Sequence, residues 1–317
     1  MLKKIFATAV LLLAVLSFVV SLLGGNNNEE SKVASHDRVA VITISGTIAC
    51  GSETQDSLFG QAGVVTSGGI INQIREAGSD ESVKALVLQI DSGGGSATAA
   101  EEVGRELLRF KEKTQKPVVT TLGNTGASAA YWIAACASDK IFANATTLTG
   151  SIGVYMPYMN TEELFKKIGI ETGRIKSGPF KDIMSADRPM TLEEKLILQD
   201  IVNEIYNQFV AVVAAGRKME EGQVRRLADG RIYTGLQAKN LGLIDEIGGY
   251  YDALAEAGKL AGIEPGKEGL PAVKEKAKPQ PWELFLSSGL KELVLEQLKS
   301  TLLGDMGSTG ASGGLAR

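Results

Sequence analysis

Residues that could do chemistry gather in three stretches of this sequence. In Gly126-Ala127-Ser128-Ala129-Ala130, a serine follows a predicted strand and turn and opens a run of small residues, Ala127 to Ala137. A hydroxyl at a helix mouth meets free backbone N–H groups and a partial positive charge, which suit a developing alkoxide. The pattern has the outline of a nucleophile elbow without being a full Gly-x-Ser-x-Gly. The plainer reading is a helix N-cap. The second stretch is Gly93-Gly94-Gly95, also between a predicted strand and a predicted helix. Its N–H groups can face the same sheet edge as Ser128, and two donors about 3 Å from a substrate oxygen make an oxyanion hole. A βα turn without chemistry is the alternative, and Gly-Gly-Gly-Ser matches neither a Walker A loop nor a dinucleotide fingerprint. The third stretch, Ile175 to Ser185, holds Lys176 and Lys181 around a Gly-Pro turn.

A serine nucleophile needs a base. The one histidine, His36, ends a polar linker near the N-terminus and is a poor candidate. A lysine serves as a base when burial disfavours its charged form. Lys181 follows Phe180 and precedes Ile183 and Met184, an apolar frame that could bury it. Asp182 would oppose this if it faced the same way, and a surface lysine is the alternative. Two cysteines, Cys50 and Cys136, with one histidine argue against a zinc site of the usual kind. They exclude a disulfide framework but not a single bridge.

The elements that must hold these residues read as repeated strand–turn–helix. Arg38 to Ile48 alternates and is β-branched, as strands are. Gly68 to Ala77 has helical spacing. Val83 to Ile90 and Pro117 to Leu122 are apolar runs suited to buried parallel strands, the second followed by a turn at Gly123-Asn124-Thr125-Gly126. Ala97 to Glu112 reads as a helix with Ser96 as N-cap. Lys140 to Ala143 and Gly150 to Tyr155 read as strands. A short helix over Thr161 to Ile168 and a strand over Glu171 to Lys176 follow. A capping box at Thr191 and Glu194 then opens a long helix. Leu198, Ile201, Ile205, Phe209 and Val212 mark its apolar spacing, and it is expected to stop at Gly216. Further helices are expected near 220–228, 235–240 and 249–261. The class is α/β with parallel pairing.

The chain of 317 residues is 44% hydrophobic and 22% charged, an ordinary globular balance. A net charge of −4 withholds the usual electrostatic support for nucleic-acid binding. Lys3 and Lys4 precede an uncharged stretch from Ile5 to Leu23, whose 19 residues would span about 28 Å as a helix. That is close to the ~30 Å hydrocarbon core of a bilayer. The expected organisation is a transmembrane anchor over 1–24 and a linker over 25–37, with the lysine pair cytoplasmic and the rest extracytoplasmic. A cleaved signal peptide and a buried soluble helix are the alternatives. At the other end, 266–281 reads as a linker, Trp282 to Leu303 as an amphipathic helix and Gly304 to Arg317 as a Gly/Ser-rich tail.

Together these segments resemble the signal peptide peptidase A family of membrane-bound Ser/Lys peptidases. The landmarks are LQIDSGGG (88–95), GNTGASAAYW (123–132), DKIFANATTLTGSIGVY (139–155), IKSGPFKDIMSADRPMT (175–191) and DGRIYTGLQAKNLGLIDEIGG (229–249). The resemblance implies a Clp/crotonase-like spiral of βαβ units over 38–262, to which the residues add the expected N-terminal transmembrane helix and a helical C-terminal extension over 263–317. It implies Ser128 as nucleophile, Lys181 as general base and Ser151 as the residue orienting the lysine amine, while Lys176 matches a non-catalytic lysine. The N–H groups of Gly95 and Ala129, with Gly94 as a further candidate, fall where oxyanion donors should be. No cofactor and no metal are expected. The implied partners are peptide substrates such as remnant signal peptides, the cell membrane, and copies of the chain in a homo-oligomeric ring with sites shared between subunits.

Two departures stand out. The family has Ser-Gly-Gly at the nucleophile, and the methyls of Ala129 and Ala130 would narrow the cleft. The family has Pro after Asp-Ser, and Gly93 in its place would loosen the loop. The expected function is a serine endopeptidase whose activity rises with pH as the lysine deprotonates. A crotonase-like acyl-CoA enzyme and an inactive membrane scaffold are the alternatives.

Overall fold

Strands rich in Val, Ile and Leu, linked for the most part through helices, build a parallel sheet. The computed structural model describes residues 37–52, 63–266 and 269–274. The expected anchor, His36 and the expected C-terminal helix and tail lie outside the described residues. Among the described residues, no helix is long and apolar enough to cross a membrane.

The central strands are β1 (Arg38–Ser45), β4 (Val83–Ser92), β5 (Val118–Ala127) and β6 (Lys140–Ala143). With β9 (Glu246–Ile247) and β10 (Ala272–Val273) they follow the order β10-β1-β4-β5-β6-β9, every pair parallel. Short strands β2 (Thr47–Ala49) and β3 (Val64–Thr66) form a separate parallel pair. β7 (Leu148–Gly150) runs parallel to the end of β5, and β8 (Ile232–Thr234) is antiparallel to β7.

Both faces of the sheet are covered, which is why β4 reads as a continuous apolar run rather than an alternation. Leu86, Leu88 and Ile90 join the larger core, shared with α1 (Ser67–Ser79), α2 (Ala97–Thr114), α3 (Ala129–Ala137) and α5 (Leu192–Arg217). Ala85 and Val87 join a smaller core under α8 (Tyr250–Leu260). The remaining helices are α4 (Glu162–Lys167), α6 (Glu221–Leu227) and α7 (Gly235–Asn240).

Helix α3 is the structural centre of the larger core. Eight of its nine residues are buried, which its small side chains allow. A Cβ at Gly216 in α5 would lie 1.7 Å from the Ala135 carbonyl oxygen, so glycine there is a condition of helix contact. The rings of Trp132 and Phe209 seal the same contact at 4.9 Å.

The structure corrects several sequence expectations. The first strand is split at Gly46, whose φ of 88° lets the backbone meet Gly63 closely. β5 does not turn at Gly123–Gly126 but continues to Ala127, because Asp91 holds the stretch by accepting bonds from Thr125 N and Asn124 Nδ2, each at 3.0 Å. The strand expected at Gly150–Tyr155 is instead Leu148–Gly150. Glu171–Lys176 is not a strand; it is exposed and joins no sheet. Helix α5 passes through Gly216 and ends at Arg217, with Lys218 as its left-handed cap at φ 53°. Its buried apolar residues are Phe209, Val210, Val213 and Ala214 near one end, while Ile201 is exposed.

Candidate active site

β5 ends at Ala127 and α3 begins at Ala129, so Ser128 alone turns the chain. Its φ of 56° and ψ of −126° are strained for a residue with a Cβ, at a cost of about 1–3 kcal/mol. Surrounding bonds hold that conformation. Ser128 N donates to Gly150 O at 2.9 Å, and Trp132 N donates to Ser128 O at 2.9 Å. The hydroxyl makes no capping bond to the helix, so the plain N-cap reading fails. It is partly exposed at the positive end of α3.

The glycine turn lies directly against this serine. A Cβ at Gly94 would sit 2.7 Å from Ser128 Cβ and 3.0 Å from Ala129 N. The turn is pinned from both sides. Gly94 N donates to Ser92 Oγ at 3.1 Å, Ile48 N donates to Gly94 O at 3.0 Å, and Ser96 N donates to Ile48 O at 2.8 Å. Ser96 also caps α2 through Ala99 N, as its sequence position predicts. The looseness expected from Gly93 is therefore countered by β2. Because Gly94 N–H is engaged with Ser92, Gly95 is the better free donor of the two. Ala129 N–H lies in the first turn of α3, where no intrahelical acceptor exists.

Ser151 occupies the matching place on the next strand. The β5–β7 register pairs Ala127 with Gly150, so Ser128 and Ser151 leave adjacent parallel strands side by side, about 5 Å apart. Both leave with positive φ, 56° and 50°. Ser151 N is held by Arg231 O at 2.8 Å. Thr149 Oγ1 donates to Gly126 O at 2.7 Å and fixes the strand pair just behind the site.

Lys181 stands in a turn between α4 and α5, with its N–H donating to Gly178 O at 3.3 Å. Its side chain is exposed, and Phe180 and Met184 are themselves exposed, so the expected apolar frame does not bury it within one chain. Among the described residues its amine has no hydrogen-bond or ion-pair partner, Ser128 included. Lys176 differs: it donates to Asp182 Oδ1 at 2.6 Å and to Pro179 O at 3.0 Å. Asp182 is turned to Arg188, Lys176 and Arg174, which hold its carboxyl far below the usual carboxylate range. Ala130 is fully buried and Ala129 nearly so, and both belong to the larger core. The Ala130 methyl is thus a packing group and does not narrow the cleft as expected. Cys50 and Cys136 are both free thiols.

The parts that hold the site leave little trace in the local sequence. Ile48 clasps the glycine turn, and Asp91 straightens the end of β5. Gly46 inside a strand pattern was the available signal for the first, since such a glycine marks a break or close backbone approach.

Residues 110–264 match the family model described as Peptidase family S49. The chain is 37% identical to a protein named as a protease from Synechocystis, covering 83% of this chain and 87% of that one. It is 35% identical to a protein from Enterococcus faecium named signal peptide peptidase SppA, over 76% of each. It is also 32% identical to the chloroplastic serine protease SPPA of Arabidopsis thaliana, over 73% of this chain and 34% of that protein. Identity of this order, spread over most of two relatives and spanning the serine turn and its neighbours, shows that the chain belongs to peptidase family S49 and is a serine peptidase.

Proposed function

We propose a membrane-anchored serine endopeptidase in which Ser128 is the nucleophile and Lys181 the general base. The observation that carries this reading is the strained Ser128, uncapped and pressed against Gly94 at the mouth of a buried helix. Strain of this kind persists where the surroundings over-determine it, and active sites are where it gathers. Neutral Lys181 accepts the Ser128 proton as Oγ attacks a peptide carbonyl. The Gly95 and Ala129 N–H groups receive the oxyanion. The lysine ammonium then protonates the leaving amine, and the acyl ester is released by a water whose proton passes to the amine. Ser151, beside Ser128 in register, orients the amine through its hydroxyl.

A lysine base needs burial, and the exposure of Lys181 in one chain favours an assembly. The arm from Ser151 to the start of α5 carries Tyr155, Met159 and Ile175 in the open, with Tyr155 84% and Leu192 75% exposed. A second copy laid on this apolar arm would dry the amine, so sites completed between subunits of a ring fit the chain better than isolated ones. The alternation of strands and helices is compatible with a Clp/crotonase-like spiral. The apolar stretch Ile5–Leu23 supports an anchor with the peptidase domain extracytoplasmic. Extended polypeptides, remnant signal peptides among them, are the substrates that such a location suits.

The test is turnover of a fluorogenic peptide by Ser128→Ala and Lys181→Ala, alone and co-expressed. Each alone should be inactive, and mixed assemblies should regain part of the activity if subunits share sites. Wild-type turnover in either single variant would reject the assignment.

A further inference from the structure

We propose that Arg188 is a positioning residue: it clamps the turn bearing Lys181 to helix α5 by bridging Asp182 and Glu194. The inference rests on Lys181 being the base and adds what holds that base in place.

All five N–H donors of Arg188 are used. Nε donates to Asp182 Oδ2 at 2.8 Å, and Nη1 donates to Glu194 Oε2 at 2.9 Å and to Pro189 O at 3.0 Å. Nη2 donates to Glu194 Oε1 and, at 3.1 Å, to the Asp182 carbonyl. The residue next to Lys181 is therefore gripped at both its carboxylate and its backbone. Arg174 Nη1 at 3.1 Å and Lys176 Nζ at 2.6 Å complete the shell around Asp182. Arg174 also pairs with Asp187. Three cations thus meet three carboxylates, and Lys181 is left outside the balance.

The other end of the clamp is firm. Glu194 is buried in the first turn of α5, where it accepts from Thr191 N at 2.8 Å and its own N–H donates to Thr191 Oγ1 at 3.1 Å. Helix α5 carries Phe209 onto Trp132 of α3, the helix that starts one residue after Ser128. A path of packed and charge-paired groups therefore fixes the height of the Lys181 turn over the body that holds Ser128. The clamp sets the position of the amine whether it serves its own serine or a neighbour's.

The test is steady-state kinetics of the full-length chain in detergent on a fluorogenic peptide, well below the melting temperature. Arg188→Ala should lower kcat by about 10- to 100-fold, the scale of a misplacement near 1 Å, with KM little changed. Asp182→Asn should lower kcat in the same way while leaving the Thr191–Glu194 cap intact. The double variant should lose no more than the worse single one, because the two act through one clamp. Arg188→Lys should recover only part of the rate, since an ammonium cannot span both carboxylates as the planar fork does. Wild-type kcat in Asp182→Asn, or in a folded Arg188→Ala, would overturn the proposal, as would a loss carried by KM alone. If Arg188→Ala does not fold, Asp182→Asn decides. Lys181→Ala separates the two layers: if it retains turnover, the base assignment fails, and if it is inactive while both clamp variants turn over normally, only the clamp fails.

Discussion

Replacing the three glycines of the Gly93–Gly95 turn one at a time tests the proposed site where its geometry is tightest. At Gly94 an added Cβ would lie 2.7 Å from Ser128 Cβ, and ordinary contact begins at 3.4 Å. Something must yield by about 0.7 Å, and misplacements near 1 Å cost on the order of 100-fold in rate. Gly94→Ala should therefore lower kcat/KM by about 10- to 100-fold, or about 1.4–2.7 kcal/mol of transition-state stabilisation. Its φ of 109° adds backbone strain of about 1–3 kcal/mol, so the melting temperature should fall by a few degrees. At Gly95 the clash is worse, 2.0 Å to the Ile48 carbonyl oxygen, and the β2 clasp should break. Gly93 is the internal control, because a Cβ there meets nothing within 4 Å. Gly93→Ala should keep both the rate and the melting temperature of the parent. Peptide hydrolysis and thermal melting on the same preparations read all three. Parental kcat/KM in Gly94→Ala would refute the claim that this glycine sets the position of Ser128.

Two further predictions concern how the site is carried. Gly216→Ala forces α5 away from the Ala135 carbonyl at 1.7 Å and should cost about 1–3 kcal/mol of stability, read as a lower melting temperature; an unchanged melt would contradict that contact. Arg188 holds the Glu194 carboxyl at about 2, below its ordinary value of 4.5, so its contribution is fully present above pH 4.5 and is lost as the pH falls through 2. Wild-type melting temperatures should fall more steeply across that window than those of Glu194→Gln; parallel curves would sink this.

What could be read in the sequence follows from which forces are local. The run Val83–Ile90 announces a buried strand because both its faces are covered, and the Thr191–Glu194 capping box announces a helix start because its partners are three residues apart. The placement of Ser128 between strand and helix was legible for the same reason. The extension of β5 through Gly123–Gly126 was not, since it depends on Asp91, more than thirty residues away in sequence. The second role of Glu194 was also hidden, because a pairing through Arg188 follows no helical or strand period. Leu198, Ile201 and Ile205 have helical spacing, yet among the described residues the fully buried apolar side chains of α5 lie near its far end. Apolar spacing reports that a face is to be covered, without naming what covers it.

Activation of Ser128 by a lysine amine can be measured by labelling with a fluorophosphonate, followed by peptide mass mapping. The wild-type chain should carry one adduct, on Ser128, and Lys181→Ala should label far more slowly while remaining folded. An adduct on another residue, or equal labelling rates in the two proteins, would contradict the account.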